Sequence, residues 1–293
     1  MDLSLDNYYL HVCFNSIGGA LSSIKDKDGT EYLWQGDARY WSGQAPVLFP
    51  ICGSLRDNRA KLTDGTWTQM PRHGIVRKNE FTCDFCNEDT VQFSIKDDES
   101  MYIQFPYHFR LVINYHLAGK KISVRYTVIN EDTREIPFFL GGHPGFMCPL
   151  LPEEKFEDYQ IEFEKEETLL IPEPVTQTGL ININNRKMLM ERKRVLSLSH
   201  DLFYRDALIL DQLSSRKLKF CHRTSKRGVE IQYQDFPYLI LWSTENDGPF
   251  VAIEPWSGLS TCDDEDDVFD HKRGVMKAAP GERKQLTFSI QLL

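Results

Sequence analysis

Hydrophobic and polar residues alternate in two adjacent runs near the middle of the chain. Every second residue is apolar in the run 109–115, and after Gly119-Lys120 the alternation resumes in the run 122–128. A period of two is the spacing of side chains on one face of a β-strand. Since a short turn between two such runs favours antiparallel pairing, the pattern predicts a β-hairpin over Phe109–Ile129.

Shorter apolar runs, separated by turn signals such as Asp28-Gly29 and Asp64-Gly65, recur along the whole chain. The runs predicted to be strands are Tyr8–Asn15, Gly19–Lys25, Ile136–Leu140, Tyr159–Glu164, Ala207–Leu210, Leu218–Cys221, Val229–Tyr233, Tyr238–Ser243, Phe250–Glu254 and Gln285–Leu292. Many short strands with turns between them are typical of an all-β sandwich or barrel.

One short helix is expected over Asn185–Arg194, which is very basic. Its charges favour a solvated face over a phosphate-binding patch, because no aromatic residues are interleaved with them. The chain shows no internal repeat, linker or break in composition. We therefore expect a single domain over residues 1–293.

The net charge of −9 argues against two classes of partner. Nucleic acid and anionic membrane surfaces both require a basic face. No apolar run approaches the roughly 18 residues that a membrane-spanning helix needs, and the first six residues do not resemble a signal peptide. The seven cysteines are odd in number and scattered, which is typical of reduced thiols, so a cytoplasmic protein is expected.

Two motifs resemble metal or redox sites but lack the residues that would complete them. The pair Cys83 and Cys86 has no second pair, and its flanks resemble strands rather than the βαβ unit of a redox motif. The acidic run Asp263–Asp267 lacks the glycine and the distal glutamate of a calcium-binding loop, so a solvated loop is expected. No dinucleotide motif, glycine-rich phosphate loop or HExxH is present. We expect neither metal nor cofactor.

Four polar residues, Arg56, His73, His143 and Glu254, lie at strand ends or in loops marked by glycine and proline. His143 follows a buried strand in the sequence Gly-Gly-His-Pro-Gly-Phe, and Glu254 ends another apolar strand. Each alone has a structural explanation, as a loop histidine or as a glutamate at the rim of a sheet. Together, an imidazole and a carboxylate can give one proton and take another near neutral pH. Trp242 and Trp256 could lie against the C–H face of a sugar or belong to the core.

Several strings, in their order and spacing, resemble the aldose 1-epimerase (galactose mutarotase-like) family, most closely its LacX-type and hexose-6-phosphate-mutarotase-like branch. They are the Arg56 loop, the Pro-Arg-His-Gly-Ile-Val-Arg string over 71–77, the His143 string, the Ile-Glu-Pro-Trp-Ser-Gly string over 253–258 and the Ala-Pro-Gly-Glu string over 279–282. The resemblance runs from the first strand to the C-terminus. It implies a large antiparallel β-supersandwich with the site in a concave cleft.

The resemblance also implies roles for individual residues. His143 matches the acid that protonates the ring oxygen of an aldohexose, and Glu254 matches the base that deprotonates the C1 hydroxyl. Arg56 and His73 match sugar-contacting positions. Asp206 is the candidate for the sugar-binding aspartate and Arg77 is a further candidate contact, while Arg56, Arg72 and Arg77 together would suit a sugar phosphate.

Two other functions stay open from the sequence. A non-catalytic carbohydrate-binding protein could share the fold, because fold does not determine function. A glycoside hydrolase is less favoured, because that chemistry usually needs two carboxylates. The partner expected in every case is a small sugar, while the identity of the sugar and the oligomeric state stay open.

Overall fold

The computed structural model describes residues 2–293, and antiparallel strands make up about half of them. In chain order the strands are β1 (Asp2–Asp6), β2 (Leu10–Asn15), β3 (Ala20–Asp26), β4 (Val47–Leu48), β5 (Arg59–Lys61), β6 (Trp67–Gln69), β7 (Thr82–Cys86), β8 (Thr90–Lys96), β9 (Phe109–Ala118), β10 (Lys121–Asn130), β11 (Ile136–Phe138), β12 (Gly141–Gly142), β13 (Gly145–Met147), β14 (Tyr159–Val175), β15 (Leu180–Ser197), β16 (Leu208–Leu210), β17 (Lys217–His222), β18 (Gly228–Gln232), β19 (Tyr238–Trp242), β20 (Phe250–Trp256), β21 (Met276–Ala278) and β22 (Arg283–Leu292). The predicted all-β class and the β-supersandwich are confirmed.

Helical structure is limited to short segments. The α-helix α1 (Glu99–Gln104) begins after Asp98, whose side chain accepts a hydrogen bond from the backbone N–H of Met101 and so caps the first turn. Four single turns of 3-10 helix are formed by Arg56–Asn58, Phe156–Asp158, His200–Leu202 and Phe269–His271.

Two large sheets carry most of the chain. The larger has nine strands in the order β15-β14-β17-β18-β22-β10-β9-β8-β7, and the smaller has the order β16-β19-β20-β12-β4, with β13 also paired to β20. Phe146 of β13 packs against Phe220 of β17, with ring centroids 6.3 Å apart, so the two sheets face each other. Buried apolar side chains from both sheets form one connected core. The single domain over residues 1–293 stays a prediction.

The hairpin predicted from alternation is confirmed. Strands β9 and β10 pair around Gly119-Lys120, with Ala118 opposite Lys121. Every second residue of β9, from Phe109 to Leu117, is buried, and the residues between them are partly or fully exposed. The other predicted strands coincide with observed strands, although their ends differ by up to a few residues and the strand that begins at Tyr159 extends to Val175.

The helix predicted over Asn185–Arg194 is wrong, because these residues belong to the edge strand β15. Arg, Lys, Met, Leu and Glu are good helix formers, but pairing with β14 overrides that preference. Four register irregularities between β14 and β15 interrupt the alternation that would have indicated a strand.

Candidate active site

The side chains of His143 and Glu254 meet in the interior of the protein. Strands β12 and β13 both pair with β20, and His143 lies between the first two while Glu254 lies on the third. The Nε2 atom of His143 is 3.2 Å from Oε2 of Glu254, and both side chains are more than 90% buried. Nδ1 of His143 and Oε2 of Glu254 make no well-formed hydrogen bond to any described residue. Buried polar atoms without partners are rare, and here they occur on two side chains that can each give or take a proton.

Burial disfavours a charge on either residue. Burial, with a smaller contribution from the nearby charges of Arg72 and Arg77, lowers the pKa of His143 to about 3. Burial raises the pKa of Glu254 well above its ordinary value, although the positive charge of Arg72 opposes this rise. Both shifts favour an uncharged pair with one titratable proton, in which the imidazole is neutral and Glu254 keeps its proton.

Aromatic rings enclose the imidazole of His143. Trp41 stacks on it with ring centroids 4.8 Å apart at an angle of 30°, and Trp242 meets it edge-on at 5.7 Å. His73 approaches it from another side at 5.4 Å. These rings exclude water from His143, which is the physical cause of its lowered pKa. Trp41 was not a candidate from the sequence, because the segment around it has no clear periodicity.

Two donors point at the ring of His73. The N–H of Gly53 donates to Nδ1 at 3.2 Å, and Nε of Arg72 donates to Nε2 at 3.3 Å. Burial, followed by the charges of His143 and Arg72, lowers the pKa of His73 and keeps its ring neutral, so the ring can accept from only one of these donors. Because the donor of Gly53 is fixed by the backbone, it favours Nδ1 as the acceptor, and Nε2 can donate to a bound oxygen when the side chain of Arg72 turns towards a ligand.

A cavity of about 360 Å³ lies above the His143–Glu254 pair, within the size range of ligand pockets. Of the residues predicted from the sequence, it brings together His73, Arg77, His143, Asp206 and Glu254. Its wall also contains Trp41, Arg72, Trp242 and Trp256. Trp242 and Trp256, which could equally have been core residues, are thus on the pocket wall. A larger cavity of about 700 Å³ elsewhere contains lysines and carboxylates but no histidine among its described lining.

The structure does not place Arg56 in this pocket. Its guanidinium forms an ion pair with Asp267 at 2.6 Å and donates to the carbonyl oxygens of Cys262 and Glu265. Arg72, five residues before Arg77, lines the pocket instead. Sequence position alone could not distinguish the two arginines, because both lie in polar loops close to His73.

Two arginines in the pocket wall lack a counter-charge. Neither Arg72 nor Arg77 forms an ion pair with a carboxylate among residues 2–293. Arg77 is half-buried, and burial together with the charge of Arg72 lowers its pKa. A guanidinium kept without a partner beside a pocket is suited to bind oxygen atoms of a ligand.

The acidic run Asp263–Asp267 is not simply solvated, as expected, but tied to basic side chains. Asp264 pairs with Arg273 at 2.7 Å, and the buried Glu265 pairs with the buried Lys272 at 3.1 Å. Within the described chain, no group of three His, Cys, Asp or Glu residues is placed to hold a metal ion. None of the seven cysteines forms a disulfide in residues 2–293. No described helix has the length and hydropathy needed to cross a membrane.

Both the sequence and the structure are similar to those of known proteins. A sequence profile of the aldose 1-epimerase family matches residues 1–271. The chain is 45% identical to the chromosomal protein LacX of Lactococcus lactis subsp. lactis over the full length of both chains. The structure matches a galactose mutarotase related enzyme from Lactobacillus acidophilus with a TM-score of 0.94 and 29% identity, covering 100% of this chain and 97% of the other. It matches a galactose mutarotase-like protein from Lactobacillus casei with a TM-score of 0.91 and 28% identity, covering both chains fully.

Proposed function

The chain belongs to the aldose 1-epimerase family, and we propose that it interconverts the α and β anomers of an aldohexose or its phosphate. The observation that carries the proposal is the buried contact of 3.2 Å between an imidazole nitrogen and a carboxylate oxygen at the floor of a sugar-sized pocket. Mutarotation needs one proton donor and one proton acceptor on the two oxygens bonded to C1.

In the proposed reaction Glu254 takes the proton of the C1 hydroxyl while His143 gives a proton to the ring oxygen. The electron pair of the O–H bond forms the aldehyde C=O, and the bond between C1 and the ring oxygen breaks. Rotation about C1–C2 presents the other face of the carbonyl, and the two residues exchange roles as the ring closes. The residues end in their starting protonation states, so no cofactor is required.

This assignment uses the form in which the single proton of the pair lies on His143. Burial favours the alternative, with the proton on Glu254, as long as the pocket is empty. The two forms have the same number of protons, so a shift of one proton along the 3.2 Å contact interconverts them. The positive charge of Arg72 and the hydroxyls of a bound sugar would stabilise the ionised carboxylate of Glu254.

Other pocket residues would bind and orient the sugar. The Nε2–H of His73 would donate to the ring oxygen or the C1 oxygen, and Asp206 would accept from a hydroxyl. The indole faces of Trp41 and Trp242 offer apolar surfaces for the C–H face of the ring. Holding the sugar in this geometry would contribute to the rate in addition to the acid and base.

The two arginines without counter-charges support a phosphorylated aldohexose as one candidate substrate. Arg72 and Arg77 are on the wall of the same pocket as the acid–base pair. A phosphate accepts charge-assisted hydrogen bonds from guanidinium groups more strongly than a neutral hydroxyl does. Arg56 is not included in this proposal, because Asp267 and two carbonyl groups already occupy its donors.

The test is to follow the optical rotation of freshly dissolved α-D-glucose and α-D-galactose with and without the protein. The 6-phosphates of both sugars are followed by exchange NMR, because their spontaneous rates are faster. We expect acceleration that disappears in Glu254→Gln. Binding without acceleration would instead support a non-catalytic carbohydrate-binding protein. The absence of both binding and acceleration would contradict the proposal.

A further inference from the structure

The turn between β14 and β15 reaches the wall of the pocket. This turn, residues 175–180, is called the hairpin tip below. Gly179 in the tip is buried and has a φ of +69°. A Cβ atom added to Gly179 would lie 2.7 Å from Nη1 of Arg72 and 2.7 Å from Oγ of Ser54. The backbone of Gly179 is therefore in direct contact with the guanidinium of Arg72.

Hydrogen bonds hold the hairpin tip in place. The N–H of Gly179 donates to the carbonyl of Val175 at 2.8 Å. At the base of the tip, the N–H of Ile181 donates to the carbonyl of Thr261 at 3.1 Å, and the N–H of Asp263 donates to the carbonyl of Ile181 at 2.9 Å. Because the backbone is fixed on this side, a new side chain at position 179 would displace its flexible neighbour rather than the tip.

Arg72 has few other groups to fix its position. Arg72 is exposed and forms no ion pair among the described residues, and its Nε lies 3.3 Å from Nε2 of His73, which holds only the inner end of the guanidinium. The outer Nη1 atom is positioned by packing against the hairpin tip. A Cβ at position 179 would also meet Oγ of Ser54, a buried residue with little space to move.

We propose that Gly179 is a positioning residue that seats the guanidinium of Arg72 in the pocket wall as a binding group for an oxygen or phosphate of the substrate. The inference rests on the proposed function for the identity of that substrate. It assigns a specificity-determining role to a hairpin that contributes no side chain to the acid–base pair. A larger residue at position 179 would move Arg72 away while His143 and Glu254 stay in place.

A double-mutant cycle tests the proposal. We expect Gly179→Ala and Arg72→Ala each to raise KM for the preferred sugar roughly tenfold or more, the size expected for a lost charge-assisted hydrogen bond. Both variants should also lower kcat, and by a similar factor, because the charge of Arg72 favours the ionised carboxylate of Glu254. In the double variant KM should equal that of Arg72→Ala alone, because no seated guanidinium remains to be displaced. Additive effects, or a loss of kcat without a change of KM, would overturn the proposal.

The chain offers a matched control for backbone strain. Gly281 has a similar φ of +75°, and a Cβ there would meet nothing within 4 Å. Gly281→Ala therefore carries the conformational cost of alanine at positive φ without the contact. We expect it to lower Tm about as much as Gly179→Ala does and to leave KM unchanged. Equal rises of KM in both variants would contradict the proposed role.

Two further measurements separate this inference from the proposed function. Calorimetric titration with glucose 6-phosphate measures the same double-mutant cycle in Kd without turnover. Coupling between positions 179 and 72 in Kd, in a protein without catalytic activity, would reject the proposed function and keep the inference. An active enzyme without this coupling in KM or Kd would keep the proposed function and reject the inference. Crystal structures of the wild type and Gly179→Ala need no ligand, and an unmoved Arg72 guanidinium in the variant would overturn the inference.

Discussion

His143 lies opposite Glu254 at the gap between two short strands, β12 and β13, that both pair with β20. Gly141 pairs with Trp256, and Gly145 pairs with Ala252, so the register is unchanged between the two pairs. Counting two residues inward from either pair gives His143 facing Glu254. The proposed acid and base are therefore held by main-chain pairing on both sides of His143, which fixes their separation more tightly than two loops would.

Replacing either member of this pair should remove most of the activity. We expect Glu254→Gln and His143→Asn each to lower kcat by roughly 10²–10⁴-fold, which is the usual contribution of one general acid or base. Polarimetry with the preferred sugar measures the change. His116→Asn, an exposed histidine on β9, is the control and should keep full activity. Near-normal turnover in either pocket variant would show that its role is wrongly assigned.

The buried carboxyl of Glu254 should make stability depend on pH. Burial raises its pKa in the folded protein above the ordinary value of 4.5, so the folded state keeps a proton that the unfolded state loses as pH rises. The contribution of Glu254 to stability should therefore fall above pH 4.5, by up to about 1.4 kcal/mol for each pH unit within the window. The lowered pKa of His143 acts in the opposite direction up to about pH 6.5, so the comparison is made between two variants. Glu254→Gln removes the contribution of the carboxyl, and the variant should gain stability relative to the wild type as pH rises above 4.5 in urea unfolding. A difference that does not change with pH would contradict the raised pKa.

Two replacements of His73 should separate its proposed role in binding the sugar from its role in stabilising the fold. Glutamine can present an amide N–H near the position of Nε2, whereas asparagine presents its amide near Nδ1, where it can accept from Gly53. Asparagine also tolerates the φ of +68° better. We expect His73→Gln to be the more active variant and His73→Asn the more stable one. Higher activity in His73→Asn than in His73→Gln would show that the functional donor is Nδ1 rather than Nε2.

Arg56 should matter for stability rather than for substrate binding. Its contacts with Asp267 and two carbonyl groups tie the Arg56 loop to the acidic run. Arg56→Ala should therefore destabilise the fold by about 2 kcal/mol with little change in KM, since hydrogen bonds of charged groups contribute on this scale. Arg77→Ala, in the pocket wall, should raise KM at a smaller cost in stability. A rise of KM in Arg56→Ala with little loss of stability would instead support the sugar contact that the sequence suggested for Arg56.

The sequence predicted the parts of the site that depend on local pattern. His143 and Glu254 were identified because each follows an apolar run and precedes a proline or glycine that ends it. Their contact could not be predicted, because it depends on the pairing of β12 and β13 with β20, which are more than 100 residues apart. The sequence could not show for the same reason that Arg72 rather than Arg56 lines the pocket. The partner that engages Arg56, Asp267, lies 211 positions away.

Trp41 offers the sharpest test of how burial controls the acid–base pair. Its ring stacks on His143 and excludes water, and burial holds the pKa of His143 at about 3. In the proposed mechanism the pair is active with one titratable proton, so we expect activity to fall at low pH when a second proton binds to His143. In Trp41→Ala water would reach the imidazole, its pKa would rise towards 6.5, and the acidic limb of kcat/KM would move to higher pH.

The measurement for Trp41 is the ratio of kcat/KM at pH 5 to that at pH 7. A lost stacking contact with the sugar lowers both values equally and cancels in the ratio, whereas a raised pKa of His143 lowers only the value at pH 5. We expect the ratio to fall in Trp41→Ala and to stay close to the wild type in Trp41→Phe, which keeps an aromatic ring over the imidazole. An unchanged ratio in Trp41→Ala would mean that the remaining rings, chiefly Trp242 and His73, are sufficient to keep His143 neutral.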